Sequence, residues 1–336
     1  GLSETALHYI GGILTHAYAL SALTNPSTNS FKRLVPGFEA PTVRTFGRSN
    51  RDAAIRVPSY VTDPQLRRIE YRPPDLSCNP FDKYDDFRDE VSAAMADFGI
   101  PVRYHHHEVG AQGQQEIEGW FADLPTTGDH AVLTKYILFN LAERHGLKVT
   151  FMPKPLFDNA GSGWHLHQFL TREGRNIFDD PEGYAGLSET ATFYIGGILR
   201  HADALCALTN PSTNSYKRLV PGFEAPTVRT FGRSNRGAAI RVPSYVTDPA
   251  LRRIEYRPPD LTANPYLCAA AILMAGLDGI INRVDPVAAG YRPEDAPGDT
   301  ARHEDFLPRS LADALDALEA DHRFLTRDGV FPEALI

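Results

Sequence analysis

The feature that most constrains this chain of 336 residues is an internal repeat. Residues 1–80 recur at 186–265 without a gap, and 70 of the 80 positions are identical. Stacked repeats share a hydrophobic pattern but need not share surface residues, so identity at this level indicates a recent duplication, an engineered one or an assembly artefact. The order along the chain is segment, unique insert (81–185), second segment and unique tail (266–336).

Composition places the chain among ordinary globular proteins. Hydrophobic residues make up 42% and charged residues 23% of the sequence, which excludes a disordered, collagen-like or coiled-coil chain. The longest apolar run, 267–277, is shorter than the roughly 20 residues that cross a bilayer, and three widely spaced cysteines cannot form a disulfide framework. The formal charge of −8 argues against a general nucleic-acid binder. We therefore expect a cytoplasmic protein with no leader segment and no membrane partner.

Hydrophobic periodicity predicts a mixed α+β fold without a regular βαβ alternation. The apolar spacing and the capping residues predict helices over 82–98, 130–145, 188–207 and 266–282, and a last helix that begins at Ser310. Alternation predicts strands over 101–109, 148–152, 238–242 and 252–257.

Two glutamates flank a predicted hairpin turn. Glu108 and Glu116 lie symmetrically about Gln112 within the turn Gly110–Gly113, so we expect the two carboxylates to face each other. At about 5 Å and an effective dielectric of about 20 they would repel by roughly 3 kcal/mol. A hard divalent ion such as Mg²⁺ or Mn²⁺ would compensate this charge. The alternative is a pair of solvated glutamates on an exposed hairpin.

Histidines form two further candidate groups. Alternation places the middle ring of His105–His107 on the opposite face from its neighbours, so the three cannot form one ligand cluster. His165 and His167 follow a glycine-rich turn and share a face, where they could supply a metal ligand and a phosphate or carboxylate donor. A flexible loop with two surface histidines is the alternative.

Arginine is concentrated in one segment. Between residues 216 and 257 there are nine basic and three acidic residues, and eight of the nine are arginines, which suit two-point contacts with phosphate or carboxylate. The run from Arg253 to Arg257 places Glu255 between two arginines, which predicts an anion site with one embedded carboxylate. Nucleic-acid binding and a salt-bridged, solvated sheet face are the alternatives.

These motifs, in this order, resemble the type I glutamine synthetases, which are ATP-dependent glutamate–ammonia ligases. The resemblance covers 81–336, and 1–80 repeats its arginine-rich part. It rests on His106-His-Glu108, Gly113-Gln-Gln-Glu116, Phe151-Met-Pro-Lys-Pro155, Gly161-Ser-Gly-Trp-His165, Asn210–Pro226, Arg236, Arg241 and Arg253–Asp260. The fold it implies is a glutamine-synthetase-type catalytic domain, with a curved antiparallel β-sheet around the active site and helices outside.

The resemblance implies two divalent ions, Mg²⁺ or Mn²⁺, that bridge the phosphates of ATP. It assigns Glu108 and Glu116 to one ion, and His165 and Glu255 to the second. The activity implied is formation of glutamine from glutamate and ammonia through a γ-glutamyl phosphate, and the intact family forms ring-shaped homo-oligomers.

The resemblance also assigns the substrate contacts. Glutamate would be held by Arg218, Arg236, Arg257 and the backbone near Gly161, and the ATP phosphates by His167 and Arg241. Glu224, on a mobile flap, and Arg236 would be the catalytic residues.

The sequence departs from the family in several places. We expect 81–336 to be the catalytic domain without the family's N-terminal β-grasp domain, without the strand that carries a Glu-x-Glu pair, and without its C-terminal tail, and 1–80 to be a duplicated partial segment. The alternatives are a γ-glutamyl ligase that acts on an amine such as a polyamine, and a catalytically defective fragment.

The first copy duplicates several of these site residues, which are Arg33, Glu39, Arg51, Arg56, Glu70 and Arg72. One insert cannot pair with both copies at once. We expect the second copy, 186–265, to form the native-like half, because it follows the insert directly.

Overall fold

The structure is a computed structural model. It describes 82–223, 225–295 and 306–336, together with the backbone of 54–56 and 70–72. The chain divides into two compact units, Gly1–Phe121 with Thr134–Gly146, and Ala122–Leu133 with Leu147–Ile336. The boundary at residue 80 that the repeat suggests stays a prediction.

The described part of the smaller unit contains two short strands, a helix and a hairpin. The elements are β1 (Ala54–Arg56), β2 (Glu70–Arg72), α1 (Asp85–Asp97), β3 (Val102–His107) and β4 (Gln115–Gly119). The predicted helix over 82–98 is confirmed as α1. It buries Val91 and Met95 and is followed by Gly99 at a φ of 77°, a left-handed conformation that glycine adopts without strain.

The hairpin of β3 and β4 turns at the predicted residues. Gln112 and Gly113 have positive φ angles of 64° and 82°, and a Cβ at Gly113 would lie 2.3 Å from the ring of Tyr84. Only glycine therefore fits at this point of the turn. A register irregularity lies between Val102 and Tyr104, after which the two strands pair regularly to His107.

The helix α2 (Leu124–Arg144) begins six residues before the predicted start at 130, and Gly146 follows it at a φ of 64°. Its first turns belong to the larger unit and the remainder to the smaller. The predicted strand over 148–152 is wrong, because the residues at these positions pair with no described strand. A short apolar run alone does not make a strand without a partner for its N–H and C=O groups.

The larger unit is built on a four-stranded sheet. The strands in chain order are β5 (Leu166–Gln168), β6 (Thr171–Arg172), β7 (Arg175–Asn176), β8 (Val228–Arg233), β9 (Ala238–Val242) and β10 (Ile254–Tyr256). The sheet has the order β5-β10-β9-β8, and β6 and β7 form a separate hairpin. The predicted strands over 238–242 and 252–257 are confirmed.

The sheet is antiparallel, as expected, except at its last pair. β5, β10 and β9 run antiparallel, whereas β8 and β9 are parallel. The link of residues 234–237 spans five Cα steps, which reach about 18 Å when extended. That length suffices to carry the chain back along β8, so the link is a return segment and not a tight turn.

The two copies of the repeat form the same ladder. In the second copy Arg241 pairs with Glu255 and Ile240 with Tyr256. In the first copy the equivalent positions pair in the same register, Arg56 with Glu70 and Ile55 with Tyr71. The local sequence of this segment therefore specifies the pairing of its two strands.

Helices cover the larger unit. They are α3 (Glu189–Arg200), α4 (Ala202–Thr209), α5 (Ser215–Arg218), α6 (Pro265–Ile281), α7 (Leu311–Ala320) and α8 (Arg323–Thr326), with short 3-10 turns at Tyr184–Gly186, Pro249–Leu251, Arg327–Gly329 and Glu333–Leu335. The predicted single helix over 188–207 is two helices, because His201 leaves helical geometry between them at a ψ of 9°. Its ring contacts Asp278 at 3.1 Å and Asp321 at 2.7 Å.

The helix starts follow the predicted capping residues. The Ser188 side chain accepts a hydrogen bond from the N–H of Ala191, and Ser310 accepts one from Asp313. Asn264 caps α6 in the same way. Each cap satisfies an N–H group that the helix itself leaves without a partner.

The core of the larger unit lies where α3 crosses α6. Gly197 and Gly279 meet at the crossing, where a Cβ at Gly197 would lie 2.1 Å from the carbonyl oxygen of Ala275. The same hydrophobic cluster buries Ile198 of α3, Leu205 of α4 and Ile272 of α6. Among the described residues, no helix combines the length and apolarity needed to cross a membrane.

We expect Gly197→Ala to destabilise the protein by about 1–3 kcal/mol, because the added methyl group would force the two helix backbones apart. Urea denaturation followed by far-UV circular dichroism measures the change. Gly237→Ala is the control, since the nearest atom to its Cβ is 3.4 Å away. Equal midpoints for the two variants would contradict the close crossing.

Candidate metal and anion sites

Three ligand-bearing side chains converge at the end of the hairpin in the smaller unit. One ligand atom each of His106, Glu108 and Glu116 lies within 4.8 Å of the others. Nδ1 of His106 is 3.6 Å from Oε1 of Glu108, and Nε2 is 3.8 Å from Oε1 of Glu116. An imidazole nitrogen with two carboxylates is a donor set that divalent ions use, so these residues fit a metal ion.

The pairing register differs from the expected one by two residues, which moves the centre of the hairpin by one residue. We expected Glu108 to face Glu116, but Glu116 faces His106, and the N–H of Glu108 donates to the carbonyl of Gln114 at 2.8 Å. The hairpin is therefore centred on Ala111 and not on Gln112. The two glutamates still share a face, because both positions keep the same alternation. His106 is the residue that the sequence analysis missed, although its spacing from Glu108 is the signal that places it there.

The opposite face of the hairpin carries a buried ion network. The Arg88 guanidinium contacts Asp82 and, at 3.1 Å, both Asp85 and Nδ1 of His105. His105 and His107 lie on this face, and Nδ1 of His107 is 3.7 Å from Asp82. The predicted alternation of the three histidines is confirmed.

The pKa of the Asp82 carboxyl reflects its partners in this network. Burial by itself raises its pKa, but hydrogen bonds from His107 and Arg88 outweigh burial, so that the pKa of Asp82 lies well below its usual range. Asp85, Asp89 and His105 also lie close enough to hold an ion. Because Arg88 neutralises Asp85 and contacts Nδ1 of His105, we assign this group a structural role.

The larger unit contains the predicted anion site with its embedded carboxylate. The Glu255 side chain is only 2% exposed, and its two oxygens contact Arg257 and, at 2.7 Å, Nε of Arg241. Nδ1 of His165 lies 3.4 Å from Oε1, and the backbone of His167 faces Glu255 in the ladder of β5 and β10. Burial raises the pKa of Glu255, but the two arginines outweigh this and lower it overall.

His165 and Glu255 are therefore together, as the resemblance implies. Burial and then the charges of Arg257 and Arg218 hold the pKa of His165 well below its usual range. A neutral imidazole keeps a nitrogen lone pair that can ligate a metal. Each oxygen of Glu255 has two lone pairs, so a metal could share the carboxylate with the arginines, and these residues also fit an ion.

The Arg218 guanidinium is buried against main-chain carbonyls. It donates to the oxygens of Pro258 at 2.7 Å and Arg257 at 3.1 Å. Burial lowers its pKa to about 10, with Asp260 acting in the opposite direction, so the group stays charged at neutral pH. Its place beside the site is observed, whereas glutamate binding by Arg218 stays a prediction.

The glycine-rich turn packs directly on Arg218. A Cβ at Gly161 would lie 2.6 Å from the oxygen of Pro153 and 2.7 Å from Cγ of Arg218. A Cβ at Gly163 would lie 2.2 Å from Nη2 of the same arginine. These glycines let the backbone approach the guanidinium, and that approach fixes the path of the chain into His165 and β5.

Of the remaining predicted residues, the structure describes Arg236 at the margin of the site. Arg236 is exposed, and its carbonyl accepts a hydrogen bond from Nε of Arg257 at 3.1 Å. Glu224 lies outside the described residues. The sequence analysis gave no role to Lys154, which is buried with its Nζ 3.7 Å from the centre of the Phe223 ring. Burial lowers the pKa of Lys154, and Asp158 partly offsets this.

Comparisons with known proteins agree on one family. The family model described as the catalytic domain of glutamine synthetase matches residues 1–81 and again 80–336. A glutamine synthetase of Pasteurella multocida (strain Pm70) is 49% identical over 258 residues, which are 76% of this chain and 54% of that protein. The chain spans about half the length of the curated relatives it matches.

Two solved structures share the fold. A cryo-EM structure of Plasmodium falciparum glutamine synthetase has a TM-score of 0.67 and 28% identity, and the match covers 85% of this chain and 67% of that one. A complex of a protein named GmaS with ADP has a TM-score of 0.63 and 39% identity, over 71% of this chain and 55% of that one.

In the metal-free protein we expect Glu255→Gln to lower the free energy of unfolding by about 3–5 kcal/mol at pH 7, because Arg241 and Arg257 would lose a buried partner. The folded pKa of Glu255 is lowered, so its contribution is complete above the unfolded value of about 4.3 and is lost as the pH falls through the folded value. The difference between wild type and variant should therefore shrink in acid.

Guanidinium denaturation at pH 7 and pH 4 and below measures this dependence. Glu173→Gln is the control, because Glu173 is an exposed glutamate of the same unit. If the difference in free energy of unfolding between wild type and Glu255→Gln stayed constant with pH, Glu255 would not be held ionised by the arginines.

Proposed function

Because this chain belongs to the glutamine synthetase catalytic-domain family, we propose that it takes part in the ATP-dependent formation of glutamine from glutamate and ammonia. The observation that carries the proposal is the buried Glu255 carboxylate with Arg241, Arg257 and His165 around it. A site that concentrates positive charge around one embedded acid suits phosphate and carboxylate ligands.

The metal-ligating groups are Glu108 with Glu116, and His165 with Glu255. Bound at these residues, Mg²⁺ or Mn²⁺ would neutralise the charge of the ATP phosphates. The chain's own contribution is to hold the ligand atoms in place before an ion arrives. The buried network of Arg88 does this for the hairpin, and the arginine pair does it for Glu255.

Arginines carry the substrate contacts in this proposal. The Arg241 contact with Glu255 is made through Nε, and a guanidinium has further N–H groups that can bind phosphate oxygens, with His167 beside it. Arg218, Arg236, Arg257 and the backbone at Gly161 would hold glutamate. Arg218 also packs on the glycine-rich turn. Fixed positive groups stabilise the charge that builds up during phosphoryl transfer.

Glu224 and Arg236 remain the proposed catalytic residues. Glu224 would accept a proton from the attacking ammonia, a role that suits a carboxylate within reach of the nitrogen. Arg236 would balance the charge of the γ-glutamyl phosphate. Both roles come from the family resemblance, and the exposure of Arg236 supports access to a ligand.

A nucleotide ligand has independent support from the GmaS structure, which is a complex with ADP and resembles this chain over 71% of its length. The names of the other reported relatives favour ammonia as the acceptor over a larger amine. The amine-specific alternative is therefore tested in the same assay but not preferred.

We further propose a homo-oligomeric assembly and a reducing, cytoplasmic location. The assembly rests on the family resemblance. The location is supported by the two cysteines that the structure describes, Cys206 and Cys268, which are both free thiols buried in the larger unit.

Activity is measured as glutamine formed and phosphate released with ATP, glutamate and either ammonia or putrescine, in Mg²⁺ or Mn²⁺. Arg257→Ala should lower kcat/KM by about 10²- to 10³-fold, since it removes a fixed donor at the site. The repeat supplies the matched control, because Arg72 is the equivalent residue of the first copy. Arg72→Ala should change kcat/KM by less than about twofold.

Two outcomes would contradict these proposals. Wild-type protein that released no phosphate with any acceptor or metal would point to a defective duplicate. A larger loss for Arg72→Ala than for Arg257→Ala would show that the first copy, not the second, forms the site.

A further inference from the structure

We propose that His106 is a protein ligand of the divalent ion at Glu108 and Glu116, and that it binds through Nε2. This inference rests on the proposed metal dependence, and it adds a nitrogen donor to a site that the sequence assigned to two glutamates alone. It also predicts which metals the hairpin prefers.

The position of His106 on the strand supports this role. It faces Glu116 across the ladder and precedes Glu108 by two residues, so all three side chains share one face. Its ring stacks on Tyr104, with 5.8 Å between ring centres and 19° between planes. The stacking holds the imidazole in one orientation before any ion binds.

The hydrogen bond at Nδ1 fixes the tautomer. Nδ1 of His106 lies 2.8 Å from the carbonyl oxygen of His107, and a carbonyl oxygen can only accept a hydrogen bond. Nδ1 therefore carries the proton in this contact. In the neutral ring Nε2 then keeps its lone pair, and a carbonyl partner at the other nitrogen is the usual arrangement for histidines that ligate metals.

The distance to Glu116 suits a shared ion. Nε2 is 3.8 Å from Oε1 of Glu116, which is beyond hydrogen-bond distance. Two ligands at about 2.1 Å from one ion lie about 3.0 Å apart at a right angle and about 4.2 Å apart when opposite. The observed separation falls inside that range. Nitrogen ligation favours transition-metal ions such as Co²⁺ and Zn²⁺, and Mn²⁺ less strongly, over Mg²⁺, which prefers oxygen ligands alone.

The first test is titration of the full-length, metal-free protein with Mn²⁺, with free Mn²⁺ followed by its EPR signal. We expect His106→Ala to weaken Mn²⁺ binding at the hairpin by at least about tenfold, while Mg²⁺ binding in competition changes less. Glu116→Gln should also weaken Mn²⁺ binding. His145→Ala is the control, since His145 is a histidine of the same unit that pairs with Glu90, and it should bind Mn²⁺ like wild type.

The second test detects the nitrogen directly and leaves His106 unchanged. His165→Ala removes the imidazole of the other proposed metal group. Pulsed EPR of Mn²⁺ bound to that variant should still show coupling to an imidazole nitrogen, and the coupling should disappear in the double variant His165→Ala/His106→Ala.

The outcomes separate this inference from the proposed function. Weaker binding in Glu116→Gln but not in His106→Ala, or no nitrogen coupling in His165→Ala, would overturn the role of His106 and leave the glutamate site intact. Wild-type protein that bound no Mn²⁺ would overturn both. Weaker binding in both variants, with nitrogen coupling, supports His106 as a ligand.

Discussion

The buried Glu255 carboxylate is stable as an anion only because two guanidinium groups lie against it. Arg241 and Arg257 reach it from the same sheet, one from the neighbouring strand and one from two positions along its own strand. Removing charges from water costs several kcal/mol for each ion, and the cost is offset only when the partners are held in place. The register of β9, β10 and β5 is therefore an electrostatic constraint, since a slip of one residue would turn Glu255 to the other face, away from Arg241.

The hairpin of the smaller unit carries charged side chains on both of its faces. One face carries two glutamates that are partly exposed, so the high dielectric of water weakens their mutual repulsion. Its other face carries a buried network around Arg88, where Asp82 and Asp85 neutralise the guanidinium. Alternate residues of β3 point to these two faces. The buried network on one face therefore holds the strand that carries the glutamate on the other. The network positions the two glutamate side chains without placing its own charged groups on their face.

Comparison of the two copies of the repeat shows which contacts the segment forms by itself and which need the rest of the chain. Both copies form the same two-stranded ladder in the same register. In the second copy the ladder extends to β5, and the chain continues into α6, which packs against α3 at the glycine crossing. Among the described strands, β1 and β2 of the first copy pair only with each other, and the unique insert follows that copy directly in the sequence. The expectation that 186–265 forms the native-like half stays a prediction.

The sequence by itself determined the repeat, most helices, the central strands, the capping serines and the shared face of Glu108 and Glu116, because alternation and capping are local properties. The grouping of His165 with Glu255 was implied by the family resemblance and not by alternation. The sequence did not determine the kink at His201, which depends on distant Asp278 and Asp321, or the parallel pair of β8 and β9. Nor did it place His106 opposite Glu116 or turn the Arg218 guanidinium onto carbonyls. Those features depend on cross-strand register and on contacts between residues far apart in the chain, and only tertiary packing sets them.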